Sequence, residues 1–158
     1  MTLRGGDRAP SLRLPDRPGH EVTVEPAGRP IVLLFFPLAF SSVCTREMCS
    51  VRDDWSRWRA LDADVYAISV DSPFVTAKFH DEHDLPFPVL SDFNREVSTR
   101  FGILYEDFYG LRGVAKRAAF VIDSDGSIVY DWVSDDAELV PDYETVKAAV
   151  AGAAEREA

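Results

Sequence analysis

The sequence is poor in cysteine and histidine, and this shortage excludes two kinds of framework. Two cysteines among 158 residues cannot form the disulfide network that holds small secreted domains together. Only three histidines are available to complete a tetrahedral zinc site, and they are scattered along the chain. We therefore expect no structural disulfide, no bound metal and no cofactor.

Basic residues are also in deficit. The chain carries 17 Lys and Arg against 27 Asp and Glu, which gives a formal net charge of −10. A surface of this sign repels nucleic-acid phosphates and anionic lipid headgroups. We therefore expect that the protein has no nucleic-acid partner and does not bind membranes.

Long apolar runs are missing as well. Nowhere do 18 apolar residues follow one another, and residues 1–14 lack the apolar segment of a signal peptide. These features predict a cytoplasmic protein. Cysteines in the cytoplasm are normally reduced thiols, so a disulfide there would be transient and catalytic rather than structural.

What the sequence does contain is enough apolar material for one packed domain over residues 1–158. Hydrophobic residues make up 46% of the chain, and a chain of this length buries roughly 70% of its unfolded surface. Strands alternate with helices in the predicted order, which indicates an α/β fold with a mixed central sheet flanked by helices. Strands are predicted at 11–14 and 22–24 as an N-terminal hairpin, and at 31–36, 65–70, 118–122 and 127–132; helices are predicted from residue 42 to Trp58, and at 73–84, 93–101 and 142–154.

The first predicted helix carries the most informative residue, Cys44. Its apolar residues recur at spacings of 4, 3, 4 and 3, which places them on one buried stripe. Ser41 or Ser42 is expected to cap the helix, so that Cys44 lies in its first turn. Backbone N–H groups and the positive end of the helix dipole favour a thiolate there, and the same donors would stabilise charge on a leaving oxygen. The stripe comprises Cys44, Met48, Val51, Trp55 and Trp58.

The segment around Cys44 resembles the active site of the peroxiredoxins. Pro37, Ser41 and Cys44 match the family pattern of Pro, three residues, Thr or Ser, two residues and Cys. The stretch FFPLAFSSVC is similar to the AhpE-like branch, and the pair Cys44 and Cys49 is similar to the bacterioferritin-comigratory (PrxQ) branch. Ser41 stands where threonine is usual, and it keeps the hydroxyl. Further matches follow in order at residues 6–10, 90–92 and 117–123.

The resemblance implies a thioredoxin-like fold and a peroxidase reaction in which Cys44 becomes a sulfenic acid. It implies that Arg117 supplies a cation to the thiolate and that Glu47 orients this arginine. Ser41 would hydrogen-bond the thiolate and the peroxide, and Pro37 would shield the thiolate from water. Without the resemblance, Arg117 reads as a surface charge. The implied partners are a peroxide and a thioredoxin or similar dithiol reductant, and the implied assembly is a monomer or a homodimer.

The role of Cys49 stays open between two interpretations. Five residues along a helix correspond to a rise of about 7.5 Å and a net rotation of roughly 140°. A disulfide needs Cα atoms within about 4.4–6.8 Å, so Cys44 and Cys49 could bond only after the helix unwinds. The bacterioferritin-comigratory resemblance implies that Cys49 resolves the sulfenic acid in this way. In a one-cysteine enzyme Cys49 would be a bystander.

Two other functions remain as alternatives. A thiol–disulfide oxidoreductase would normally carry Cys-x-x-Cys, and the spacing here argues against it. A peroxide-sensing redox protein would be oxidised at Cys44 without steady-state turnover. His80 and His83 are three residues apart and could lie on one helical face, but the acidic residues around them favour a solvated surface over a metal site.

Overall fold

The computed structural model describes residues 2–157, with side chains up to residue 153. Twelve elements follow one another along these residues, and five of the strands form one mixed sheet in the order β5-β4-β3-β6-β7. The elements are β1 (Leu12–Arg17), β2 (His20–Val24), β3 (Ile31–Phe35), α1 (Ser42–Asp53), α2 (Trp55–Arg59), β4 (Asp64–Ser69), α3 (Pro73–Glu82), β5 (Val89–Ser91), α4 (Glu96–Phe101), β6 (Arg117–Ile122), β7 (Ile128–Ser134) and α5 (Tyr143–Glu157).

The sheet is built around β3, whose five residues are all buried. Strand β3 pairs in parallel with β4 and antiparallel with β6. Helices α1, α2, α3 and α5 pack on one face of the sheet, and α4 and the β1–β2 hairpin pack on the other. Side chains on both faces of β3 are therefore buried, which explains why the whole strand is apolar. The predicted α/β fold, with a mixed sheet flanked by helices and an N-terminal hairpin, is confirmed.

The prediction of one helix from residue 42 to Trp58 is wrong. Helix α1 ends at Asp53, Asp54 leaves the helical conformation with ψ 17°, and α2 begins at Trp55. Four residues of the predicted stripe are buried, but Trp55 is only half-buried and packs on Phe87. A tertiary contact accompanies the break, because Asp54 accepts a hydrogen bond from the buried Lys147 of α5.

Two smaller differences from the predicted elements concern β5 and the start of α4. The short strand β5 has no counterpart among the predicted strands. Helix α4 begins at Glu96 rather than near residue 93, because the buried Asp92 carboxylate accepts hydrogen bonds from the N–H groups of Val97 and Ser98. Arg95, which directly precedes the helix, has a φ of 62° and therefore lies outside it. Among residues 2–157 no helix is both long enough and apolar enough to cross a bilayer.

Candidate active site

The strand register brings Arg117 to the start of α1. Phe35 at the end of β3 pairs with Ala118 of β6, and Arg117 precedes Ala118 at the beginning of that strand. The chain leaves β3 through residues 36–41 and enters α1, so that Cys44 lies in the first turn of the helix at the same edge of the sheet. Two distant segments therefore meet because neighbouring strands run antiparallel.

Cys44 is buried and lies against a cation. Only 1% of the surface of Cys44 is exposed to solvent. Nη2 of Arg117 donates a hydrogen bond to its Sγ at 3.2 Å. The first bond of the helical ladder runs from Thr45 N–H to the Ser41 carbonyl, so the N–H groups of Val43 and Cys44 precede the ladder. Both the guanidinium and the helix N-terminus therefore present positive charge or partial positive charge to the sulfur.

Arg117 is buried rather than a surface charge, which corrects the interpretation drawn from its sequence position without the resemblance. Its exposure is 1%, and Nη1 donates to Oε1 of Glu47 at 2.6 Å. Nε and Nη2 donate to the carbonyl of Ala137 at 3.1 and 2.9 Å. The guanidinium is therefore fixed on three sides, and Nη2 is shared between the Ala137 carbonyl and the sulfur of Cys44.

Glu47 is the buried counter-charge of Arg117. Its two oxygens accept from different donors, Oε1 from Arg117 and Oε2 from the hydroxyl of Tyr143 at 2.5 Å. Burial raises the pKa of Glu47, and both partners oppose this rise because they favour the carboxylate. Burial, together with the charge of Glu47, raises the pKa of Tyr143 well above its ordinary value, so Tyr143 keeps the proton that it donates.

Ser41 occupies the N-cap position of α1 but does not cap it with its side chain, and the predicted side-chain cap is therefore wrong. The Ser41 hydroxyl donates to the carbonyl of Leu38 at 2.8 Å. Because a hydroxyl has one proton, Ser41 offers its remaining capacity as an acceptor toward a ligand above Cys44.

A pocket of about 170 Å³ opens above Cys44. Pro37 is buried and forms part of its wall, and Phe108 and Tyr109 come from the loop between α4 and β6. The pocket is wide enough for a small peroxide, and its aromatic wall offers apolar contact to an organic substituent. Its lining comprises Pro37, Ser41, Ser42, Val43, Cys44, Phe108, Tyr109, Arg117, Ala137 and Glu138.

The loop before α1 is held by Asp71, a residue that the sequence interpretation did not single out. Oδ2 of Asp71 accepts from the N–H of Ala39 at 2.7 Å and from the hydroxyl of Ser69 at 2.7 Å. Burial raises the pKa of the Asp71 carboxyl, and the two hydrogen bonds counteract the rise. The parallel pairing of β3 and β4 is the signal that could have found Asp71, because the chain leaves both strands at the same edge of the sheet.

Cys49 lies away from this cluster. It is half-buried in the same helix as Cys44, and both thiols are free. Ideal helical geometry separates Cα atoms five residues apart by about 8.6 Å, which is longer than a disulfide spans. The structure therefore brings Pro37, Ser41, Glu47 and Arg117 to Cys44 but leaves Cys49 apart.

Two further groups of the site come from the C-terminal part of the chain, namely the carbonyl of Ala137 and the hydroxyl of Tyr143. A backbone carbonyl has no sequence signature, and Tyr143 resembles any apolar residue of an amphipathic helix. Within the part of the chain that the structure describes, no group of three or more His, Cys, Asp or Glu is arranged to hold a metal ion.

Comparison with known proteins gives consistent matches. The model of the AhpC/TSA family matches residues 5–131. A Mycobacterium tuberculosis protein that carries the name peroxiredoxin is 40% identical over 131 residues, which cover 80% of this chain and 83% of that protein. Peroxiredoxin Bcp of Escherichia coli is 35% identical over 130 residues, with the same coverage. The crystal structure of peroxidoxin BcpB from Mycobacterium tuberculosis superposes with a TM-score of 0.83 at 28% identity, over 95% of this chain and 97% of that one.

Proposed function

The chain belongs to the AhpC/TSA family and is a peroxiredoxin, a thiol-dependent peroxidase, and on this basis we propose that Cys44 is its peroxidatic residue. The observation that carries the proposal is the contact between Nη2 of the buried Arg117 and Sγ of Cys44 at 3.2 Å. A sulfur held beside a fixed guanidinium in the first turn of a helix has the environment of a nucleophilic thiolate.

In the proposed first step the Cys44 thiolate attacks one oxygen of a hydroperoxide. The S–O bond forms as the O–O bond breaks, and the second oxygen takes up one proton from solvent and leaves as water or an alcohol. Cys44 is thereby oxidised to a sulfenic acid. Arg117 and the N–H groups of Val43 and Cys44 stabilise the charge that develops on the leaving oxygen. The Ser41 oxygen accepts from the peroxide, and Pro37 keeps water from the thiolate.

In the proposed second step the thiol of Cys49 attacks the sulfenic sulfur, which forms a disulfide and releases water. The start of α1 must unwind for this, because the two residues lie on one helix. The exposure of Ser41 and Ser42 and the lack of a side-chain cap favour such opening. An external dithiol of the thioredoxin type then reduces the disulfide by exchange. The cytoplasmic location, the single domain and the assembly as monomer or homodimer stay predictions.

Steady-state peroxide consumption with a dithiol donor tests the role of Cys44. We expect Cys44→Ser to abolish turnover, because serine supplies no thiolate, while its circular dichroism spectrum stays that of the unsubstituted protein. Turnover retained in this variant would overturn the proposal. Oxidation in the unsubstituted protein without steady-state turnover would instead favour a peroxide sensor.

A further inference from the structure

The C-terminal part of the chain supplies two further contacts to the Arg117–Glu47 pair. Ala137 accepts two hydrogen bonds from Arg117, and Tyr143 at the start of α5 donates to Glu47. The family match ends at residue 131, before both of these residues. Two contacts of the pair therefore come from residues that lie beyond the match to the family model.

We propose that Tyr143 is a positioning residue of the peroxidase reaction, because its hydroxyl holds the Glu47 carboxylate in the orientation that keeps Arg117 against Cys44. The inference rests on the proposed function of Cys44. Tyr143 is not a catalytic residue in this account, since it touches neither the sulfur nor the pocket above it.

The four groups form one chain of contacts. From Sγ of Cys44 the path runs 3.2 Å to Nη2 of Arg117, then 2.6 Å from Nη1 to Oε1 of Glu47, and 2.5 Å from Oε2 to the hydroxyl of Tyr143. Each carboxylate oxygen of Glu47 has one of these donors. Removal of the hydroxyl leaves Oε2 buried without that donor, which favours rotation or protonation of Glu47 and frees Nη1 of Arg117.

The charges around Glu47 determine how it responds to pH. Arg117 of β6 and Tyr143 of α5 face the carboxylate, and Cys44 lies one turn before it on α1. Arg46 and Glu138 line the groove next to it and are exposed to solvent. Arg117 and Tyr143 therefore oppose the effect of burial on the pKa of Glu47, and loss of the Tyr143 hydroxyl raises that pKa further.

Tyr143 is itself held in place by the next turn of α5. Both carboxylate oxygens of Glu144 accept from Arg57 at 2.8 Å, and Lys147 contacts Asp54 at the junction of α1 and α2. Lys147 also lies over the ring of Trp58. These contacts join α5 to α2 and to the junction that follows the helix carrying Cys44, and they hold the start of α5 beside α1.

The test is Tyr143→Phe, which removes one oxygen and keeps the ring. We expect the second-order rate of Cys44 oxidation by hydrogen peroxide, measured by rapid mixing, to fall about tenfold. As the pH is lowered, the rate should begin to fall at a higher pH than in the unsubstituted protein, because Glu47 protonates more readily. The matched control is Tyr130→Phe, which alters a half-buried tyrosine that packs on the same core and whose hydroxyl forms no hydrogen bond to Glu47 or Arg117. Its rate and pH profile should stay unchanged.

A second comparison separates positioning from a general effect on folding. In a Glu47→Gln background, Tyr143→Phe should add no further slowing, because the route from Tyr143 to Arg117 runs through the Glu47 carboxylate. An unchanged rate and pH profile in Tyr143→Phe, or equal slowing in both backgrounds, would overturn the inference. Failure of the proposed function is distinguishable, because it would show in Cys44→Ser as retained turnover.

Discussion

At the scale of single residues, the site depends on what one guanidinium can contact at once. Arg117 donates to a carboxylate, to a carbonyl and to a thiol sulfur from three nitrogens of one rigid plane. A lysine ammonium is a single point charge on a flexible stem and cannot reach all three acceptors with fixed geometry. The shape of the arginine side chain, and not its charge alone, therefore positions the cation at Cys44.

The variant Arg117→Lys tests this point. We expect the second-order rate of Cys44 oxidation to fall roughly 10- to 100-fold, because donors at the developing charge are lost while a positive charge is kept. Rapid mixing with peroxide measures the rate, and urea unfolding measures the accompanying loss of stability. A rate equal to that of the unsubstituted protein would show that charge alone is sufficient.

Asp71 gives a second prediction, because burial raises its pKa. A raised pKa means that the folded protein binds this proton more tightly than the unfolded chain does. The contribution of Asp71 to stability is therefore largest below the ordinary carboxyl pKa of about 3.9 and is lost as the pH rises through the folded value. Both hydrogen bonds to the side chain converge on Oδ2, so an asparagine oxygen at that position could accept both.

We therefore expect Asp71→Asn to be as stable as the unsubstituted protein at pH 7, or more stable, with this advantage shrinking as the pH falls toward about 4. The control Asp71→Ala loses both bonds and should cost about 1–3 kcal/mol and slow oxidation, because the loop at Ala39 is released. Urea unfolding as a function of pH checks both. A loss in the asparagine variant as large as in the alanine variant would contradict this account.

The sequence revealed the residues of the site better than their surroundings. Cys44, Glu47 and Arg117 could be singled out because they match a family pattern at fixed positions. The burial of Arg117 could not be predicted, because it depends on Glu47, 70 residues away, and on a backbone carbonyl. Tyr143 could not be predicted either, since its role depends on the docking of α5 and not on a local motif.

At the scale of elements, the start of α1 has to serve both steps of the proposed mechanism. It must be helical to present N–H groups to Cys44, and it must open for Cys44 and Cys49 to bond. The rest of α1 is anchored, since Arg52 near its end donates to the carbonyl of His83 at 2.7 Å. Opening is therefore expected in the first turns of the helix rather than in its second half.

This opening predicts a spectroscopic signal. One equivalent of peroxide should lower the helical signal in far-ultraviolet circular dichroism and should remove two hydrogens from the mass of the protein. Cys49→Ser, the control, should be oxidised once at Cys44 without the loss of helical signal and without an intramolecular disulfide. If the intact mass of the peroxide-treated, unsubstituted protein does not fall by two hydrogens, Cys49 does not resolve the sulfenic acid and the one-cysteine mechanism holds.

The boundaries of helices and strands show which structural features can be predicted from local sequence and which cannot. The apolar run at 31–36 predicted β3 well because a strand buried on both faces has a distinctive composition. The sequence does not predict the break at Asp54, because the apolar periodicity of a helix continues across it. The residue that contacts Asp54, Lys147, lies 93 positions later in the sequence. Tertiary contacts, and not propensity, decide such boundaries.

At the scale of the whole molecule, the topology of the sheet creates the site. Strand β3 leads to Cys44, β4 leads to Asp71, and β6 begins at Arg117, so three adjacent strands deliver their residues to one edge. Alternation of strands and helices predicted this class of fold. The strand order was not predicted, because pairing partners far apart in sequence leave no periodic signal.

The most direct test of the whole account is rapid mixing of the reduced protein with hydrogen peroxide while tryptophan fluorescence is followed. Trp58 is buried and packs against Tyr143, whose hydroxyl donates to Glu47. Its fluorescence should therefore respond when Cys44 is oxidised. We predict a fast signal whose rate rises linearly with peroxide in the unsubstituted protein and in Cys49→Ser, and no such signal in Cys44→Ser. The same signal in Cys44→Ser would contradict the account.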